Sequence, residues 1–322
     1  MTCRQFPRIY AVTLLFLVTI GGSQAALETG DHEFSVTYEG LHRSYLVRVP
    51  PVASAGKPLP VVINFHGGGS NAKVQKAYSR MDQAADRDGY IVVYPNGTGG
   101  IGGRFLTWNA GACCGPAAAS QIDDVGFSLA FLDDLARRIA LDRARIYATG
   151  LSNGSMMAYR LAVEAPGHIA AVAGVAGAMT LPGFGPGRPV PVMHIHSVDD
   201  PRALYGGGLG PAFPFTDTRV LHQPVDAMIA VWIARNACPA RPQVSSAISG
   251  RPGAADETHT ATRYTYAPCR NGAEVVLWKL TGAGHIWPGG VQDYLPLLLG
   301  KGTTVIDANS EIWKFFTRFR RD

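Results

Sequence analysis

The stretch Thr149-Gly150-Leu151-Ser152-Asn153-Gly154-Ser155 constrains this chain more than any other. Residues 144–148 (ARIYA) before it are apolar and β-prone, and residues 156–164 (MMAYRLAVE) after it are helix-prone, so its G-x-S-x-G pattern falls at a strand-to-helix corner. A serine at such a corner is forced toward a strained, near-left-handed backbone. Glycines two residues to either side remove the side chains that would collide there. The serine hydroxyl then points away from the sheet. As a bare five-residue pattern the motif is weak, so its meaning depends on its context.

That context is an alternation of strands and helices. Residues 34–50 alternate apolar and polar about a turn at Glu39-Gly40-Leu41, which predicts an antiparallel hairpin at a sheet edge. Leu59 to Phe65 (LPVVINF) is a continuous apolar run, the mark of a strand buried on both faces, and it empties into His66-Gly67-Gly68-Gly69. A helix over 76–87 and a buried strand over 90–94 follow. Residues 97–121 are glycine-rich and aperiodic, so they read as one long loop, a kind of segment that is often functional. Asp123-Asp124 caps an amphipathic helix leading to the serine strand. Beyond the corner, 169–178 and 190–195 read as strands, 225–237 as a helix, 262–267 and 274–280 as a hairpin, and 307–319 as a last helix. The expected fold is α/β, with a mostly parallel central sheet, an antiparallel N-terminal edge and helices on both faces.

A serine is a poor nucleophile at neutral pH and needs a base, an orienter for that base and donors for the developing oxyanion. After a later strand comes His196-Ser197-Val198-Asp199-Asp200-Pro201, and after the last strand Gly282-Ala283-Gly284-His285-Ile286-Trp287-Pro288. The order serine, acid, histidine is that of an α/β-hydrolase. His285 is therefore the expected base for Ser152, with Asp200 as its orienter. Asp200 is favoured over Asp199 because it directly precedes Pro201. The backbone N–H groups of Asn153 and of Gly68, within the glycine run, are the expected oxyanion donors. His194 and His196, on or at the end of a buried strand, read as structural, and His66 as a brace for the glycine run. A zinc site is not expected: the H-x-H-x-D-H spacing of binuclear zinc hydrolases needs an acid where Val198 stands. Trp108, Tyr205 and Trp287 neighbour these motifs and are candidates for a flat aromatic substrate pocket.

Residues 1–25 read as a cleavable export signal: Arg4 and Arg8 precede an apolar run over 9–20, and Gly21-Gly22-Ser23-Gln24-Ala25 offers small residues at the cleavage positions. The run is short for a membrane span. Residues 26–322 are then expected to form a single catalytic domain, secreted to the periplasm or beyond, with no stable membrane insertion. Losing the signal lowers the formal charge from +5 to +3, and no Lys/Arg run with interleaved aromatics suggests a nucleic-acid partner. Export also suits the cysteines. Cys3 leaves with the signal, and Cys113, Cys114, Cys238 and Cys269 remain. The simplest pairing joins Cys238 to Cys269 and Cys113 to Cys114. Adjacent cysteines close only through a strained ring, so two free thiols at 113 and 114 are the alternative.

The set HGGGSNA at 66–72, WNAGACCG at 108–115, DDVGF at 123–127, GLSNGS at 150–155, DDPRALYGG at 199–207 and GAGHIWPGG at 282–290 resembles the secreted esterases grouped as polyhydroxybutyrate depolymerase-like or LpqC-like, akin to the feruloyl esterases of carbohydrate esterase family 1. The resemblance spans nearly all of the chain after residue 25. It implies an α/β-hydrolase fold, a Ser152, Asp200, His285 triad, no metal or cofactor, and hydrolysis of carboxylic esters through an acyl-enzyme on Ser152. One departure concerns the substrate. Family members commonly read H-G-T-x-D-P where this chain has HSVDDP, and a Gly/Pro/Phe stretch over 206–215 follows Tyr205 as a candidate rim over the acyl pocket. Without a linker or binding module, feruloyl or acetyl carbohydrate esters rank ahead of hydroxybutyrate oligomers. An acyltransferase with the same triad and a non-catalytic binding protein on the same fold are the alternatives.

Overall fold

The protein, seen here as a computed structural model, is described over residues 1–2, 27–181, 187–213 and 217–321. Apart from its first two residues, the expected export signal lies outside them.

Strands β1 (Gly30–Tyr38) and β2 (Leu41–Val49) form the antiparallel hairpin about Glu39 and Gly40. Next come β3 (Leu59–Phe65), helices α1 (Ala72–Ser79) and α2 (Met81–Asp88), and β4 (Ile91–Pro95). A short α3 (Gly115–Ala119), α4 (Asp124–Ala136), β5 (Leu141–Leu151) and α5 (Asn153–Glu164) lead through the serine corner to β6 (Ala171–Val175) and β7 (Val192–Ser197). The chain continues through β8 (Gly208–Leu209), β9 (Leu221–His222), α6 (Val225–Asn236), β10 (Gln243–Val244), β11 (Ile248–Ser249), β12 (Thr260–Tyr266), β13 (Val275–Thr281), α7 (Pro296–Leu299) and α8 (Ala308–Phe316).

The main sheet runs β1-β2-β4-β3-β5-β6-β7-β13-β12-β10, with β11 also paired to β12. Its centre, β4-β3-β5-β6-β7-β13, is parallel, and both flanks are antiparallel. The expected mixed sheet is present, with a second antiparallel flank at β12 and β10. Strand alternation divides the buried residues between two faces. Val61, Ile63 and Phe65 of β3 pack with Phe131 of α4, Met157 of α5 and Trp232 of α6. Val62, Val92 and Met193 pack on the other face with Met81 of α2 and Phe315 and Phe316 of α8. Sandwiched this way, the strands are apolar at most positions and read as near-continuous apolar runs, while Asn64 of β3 and His194 and His196 of β7 are buried with hydrogen-bond partners.

Two elements differ from expectation for a local reason. The helix expected over 76–87 is broken at Arg80, whose backbone is left-handed at φ 54°. Asn309 Nδ2 donates to the Ser79 carbonyl at 2.8 Å, and that carbonyl is the acceptor a continuing helix would need. The loop over 97–121 contains α3 and is folded back on itself, with Thr98 and Thr107 exchanging backbone hydrogen bonds.

The β1–β2 hairpin is tied to α4 by a buried ion pair, Arg43 Nη2 to Asp124 Oδ1 at 2.6 Å. The guanidinium lies 3.6 Å from the centre of the Phe127 ring, and the other oxygen of Asp124 accepts from the N–H of Asn109 at 2.7 Å. Burial pushes the Asp124 carboxyl up despite the Arg43 charge, so the pair is held against its own desolvation cost. Replacing Arg43 by Met leaves Asp124 buried without its ion-pair partner. The expected loss is about 3–5 kcal/mol of stability, read as a lower urea midpoint, and Arg43→Met with Asp124→Leu recovers part of it.

Candidate active site

Ser152 lies between the end of β5 and the first residue of α5, at φ 57° and ψ −121°. Its N–H is bonded to the carbonyl of Val175 on β6 at 2.9 Å, and its carbonyl accepts from Met156 of α5 at 3.1 Å. Two glycines allow the corner to be this tight. A Cβ on Gly150 would come within 2.5 Å of the Gly154 backbone, and one on Gly154 within 2.3 Å of the Phe65 carbonyl oxygen.

Asp200 and His285 meet on the same carboxyl edge of the sheet. His285 Nδ1 is 2.7 Å from Asp200 Oδ2. Asp200 Oδ1 accepts from the N–H groups of Arg202 and Ala203 at 2.7 and 2.8 Å. Burial would raise this carboxyl, but the charge of His285 and the hydrogen bonds from His196 and His285 outweigh it and hold Asp200 well below the usual carboxylate range. With Nδ1–H directed at an ionised acid, the Nε2 of a neutral His285 is left as the proton acceptor. The neighbouring carboxylate is differently employed: Asp199 is exposed and accepts from the N–H of Gly282 at 2.6 Å. The His285 backbone is held by donation to the Leu299 carbonyl at 2.6 Å.

The glycine run crosses directly over this corner. A Cβ on Gly68 would stand 3.4 Å from Cβ of Asn153, and one on Gly67 would stand 3.6 Å from Cβ of Ser152. Asn153 opens α5, so its N–H has no acceptor within the helix. The Gly69 N–H is committed to the Leu106 carbonyl at 2.9 Å. His66 staples the run: its Nε2 accepts from the N–H of Gly97 at 3.0 Å, which leaves Nδ1 to donate to the Gly67 carbonyl at 2.8 Å. Burial pushes His66 down to about 4, so the imidazole is neutral and keeps this tautomer.

The three aromatic candidates for the substrate pocket take other roles, and this corrects the expectation. Trp108 is solvent-inaccessible. Its indole N–H donates to the His66 carbonyl at 2.9 Å, while its backbone exchanges two hydrogen bonds with the Asn153 side chain, at 2.8 and 3.1 Å. It clamps the long loop to the serine corner. Trp287 is equally inaccessible and donates to Asn309 Oδ1 at 3.0 Å within the α8-side core. Tyr205 is buried, with its hydroxyl donating to Asp226 at 2.5 Å. Among the described residues, Phe213 brings an aromatic ring to the corner, with its Cε1 3.7 Å from where a Cβ on Gly68 would lie. It belongs to the stretch over 206–215, of which residues 214 and 215 lie outside the described residues. Within the described residues, β8 pairs with β9, and the pairing is continued by Gly210 N–H to Val220 O and Phe213 N–H to Thr218 O at 2.9 Å each. His222 on β9 is pushed down to about 4, first by burial and then by the charge of His285, which sets this strand pair beside the acid–histidine pair.

Both cysteine pairs are disulfide-bonded, Cys113 to Cys114 and Cys238 to Cys269. The second links the end of α6 to the turn between β12 and β13. Among the described residues no group of three or more His, Cys, Asp or Glu side chains is placed to hold a metal ion, and no helix is long and apolar enough to cross a membrane.

With this geometry in place, the relatives decide the class. The family described as esterase PHB depolymerase matches residues 43–245. The chain belongs to that family. It is an esterase, a hydrolase of carboxylic esters. The esterase is 31% identical over 275 residues to a protein of Nocardia uniformis subsp. tsuyamanensis named as the esterase NocK, covering 82% of this chain and 76% of that one. It is 29% identical to feruloyl esterase B of Piromyces equi, covering 76% of this chain but only 42% of the relative. Among solved structures, an acetyl xylan esterase from Aspergillus awamori superposes with a TM-score of 0.51 at 14% identity, covering 89% of this chain and 99% of the other. That likeness establishes the α/β-hydrolase fold.

The buried histidines make the esterase acid-sensitive with a defined sign. His66 is held at about 4 in the fold against an ordinary 6.5, so its contribution is complete above pH 6.5 and is lost as pH falls toward 4. His222 acts in the same direction and over the same window. Urea midpoints measured from pH 7.5 to 4.5 are expected to fall across this range, and His66→Gln is expected to flatten the fall.

Proposed function

We propose that the chain is a secreted serine esterase that works through an acyl-enzyme on Ser152, with His285 as base and acid and Asp200 as its orienter. The observation that carries the reading is the 2.7 Å contact between His285 Nδ1 and Asp200 Oδ2, on the sheet edge where Ser152 holds its strained corner. Ser152 Oγ attacks the ester carbonyl carbon as its proton passes to His285 Nε2. The resulting oxyanion is received by the N–H groups of Gly68 and Asn153. His285 returns the proton to the departing alcohol, leaving the acyl group on Ser152. A water molecule then attacks the acyl carbonyl carbon as its proton passes to His285 Nε2, and His285 returns that proton to Ser152 Oγ as the acyl–oxygen bond breaks and the acid leaves.

For substrate, feruloyl or acetyl esters of carbohydrates are the class proposed. The names of the Piromyces feruloyl esterase and of a bifunctional acetylxylan esterase/xylanase from Neocallimastix patriciarum, 26% identical, support this class. The chain spans only 31% of the latter's length. Phe213 beside Gly68 offers an aromatic surface where the acyl group would lie. Export would remove residues 1–25, leaving 26–322 as one catalytic unit.

Purified protein is expected to hydrolyse p-nitrophenyl acetate and methyl ferulate, and Ser152→Ala to lower kcat by about 10⁴-fold or more. Equal rates from the two proteins would remove the triad assignment. Turnover of hydroxybutyrate oligomers without methyl ferulate would move the substrate class. N-terminal sequencing of exported protein is expected to begin at Ala26; an intact Met1 would refute the cleavable signal.

A further inference from the structure

The triad acid has a second imidazole on it. His196 Nε2 lies 3.2 Å from Asp200 Oδ2, the same oxygen that faces His285, and 2.8 Å from the Ala203 carbonyl oxygen. Both of these atoms can only accept, so His196 Nε2 carries a proton and donates it. Behind it, His196 Nδ1 is 2.9 Å from His194 Nε2, and His194 Nδ1 is 2.8 Å from the Tyr159 hydroxyl. Burial and then the neighbouring His196 pull His194 far below its ordinary value, so its ring has one N–H. With one N–H on each ring, His194 Nε2 donates to His196 Nδ1, which leaves His194 Nδ1 to accept from the Tyr159 hydroxyl, whose other acceptor is the Met193 carbonyl at 3.3 Å. His196 in turn donates to Asp200, so each ring nitrogen along this buried line has a partner.

Apolar packing does not explain the arrangement. His194 and His196 project from β7 toward the face where α5 packs, and both are almost wholly inaccessible. Valine or leucine would fill such positions without desolvating four ring nitrogens. Instead β6 contributes a glycine, Gly174, where a Cβ would come within 2.6 Å of the Tyr159 oxygen. The line ends on Asp200.

We propose that His196, backed by His194 and Tyr159, is a positioning residue whose hydrogen bond to Asp200 Oδ2 fixes the carboxylate against His285 and tempers its basicity. The proposal rests on the triad reading given above. Two bonds from backbone N–H groups hold Oδ1, and two imidazoles share Oδ2, so the carboxylate cannot rotate without breaking a bond at either end. Withdrawal of the His196 donor leaves more charge on Oδ2, which binds the His285 imidazolium more tightly. Other ionisable groups near this cluster are Tyr205, edge-on to His196 with Lys279 over its ring, and Arg202, His222 and Tyr78, which act electrostatically on Asp200 or His285. All of them are retained in the variants below.

The test uses the full chain, its Ser152→Ala variant, and two substitutions at 196. His196→Asn places a polar atom near the former Nδ1, facing His194, but is too short to reach Asp200. His196→Gln reaches as far as Nε2 and can donate to both Asp200 and the Ala203 carbonyl. With p-nitrophenyl acetate, His196→Asn is expected to lower kcat about 10- to 100-fold, the range for one hydrogen bond to an ionised group, with little change in KM. The acidic limb of its kcat/KM profile is expected to move upward by roughly half to one pH unit. His196→Gln is expected to restore the rate and the limb. In proton NMR spectra, the downfield resonance of the His285 Nδ1–H is expected to shift in His196→Asn and in Tyr159→Phe, a readout independent of turnover that still stands if one variant folds poorly. Parent-like rate, limb and resonance in folded His196→Asn would overturn the proposal. So would equal losses in the Asn and Gln variants. Should Ser152→Ala retain activity, the triad reading itself fails, an outcome distinct from these.

Discussion

The backbone of Ser152 is the constraint on which the rest of the site depends. A non-glycine residue at φ 57° and ψ −121° costs on the order of 1–3 kcal/mol, and it persists only where the surroundings leave no alternative. Here the N–H is bonded to β6, the carbonyl starts α5, and Gly150 and Gly154 pack so closely that β3, β5 and α5 share one point. A relaxed serine would have to break the parallel pairing of β5 with β6 or unwind the first turn of α5. The central sheet thus serves as the clamp for one side chain.

Polar groups around this corner form a second layer, and each element contributes a part. His66 and Trp108 tie the glycine run and the long loop to Asn153, while Asp124 holds Asn109 from below and Arg43 holds Asp124. Asp200 is held by two backbone N–H groups and two imidazoles. Buried polar groups of this density are costly where left unpaired, and most of these are paired; Arg43 Nε and Nη1 have no hydrogen-bond partner among the described residues and lie against the Phe127 and Trp108 rings. The motifs HGGG, WNAG, DDVG and GLSNG are distant in sequence and are brought together by this layer, by the β3–β5 pairing and by the Ser70–Leu106 bridge.

Strand runs such as LPVVINF were legible because a strand buried on both faces is apolar at nearly every position, Asn64 being the exception held by Ser79 and Gln75, and that signal survives without partners. The serine corner was legible because its glycines answer to local backbone geometry. The fracture at Arg80 was not, since it depends on Asn309 capturing the Ser79 carbonyl from 230 residues away. The roles of Trp108, Tyr205 and Trp287 were likewise hidden. Proximity to a motif in sequence does not say which way a ring faces, and each ring turned inward to satisfy its polar atom.

The sequence by itself determined the mixed, mostly parallel sheet, the corner at Ser152 and the order in which an acid and a histidine follow it. Tertiary structure decided which of two adjacent carboxylates meets His285, which aromatic ring approaches the serine corner, and that two histidines of an apolar strand line up behind Asp200. The physical reason is the same in each case. Hydrophobic periodicity is written locally along the chain, whereas the partner of a buried polar atom is chosen by strands and loops that become neighbours only when the sheet is assembled.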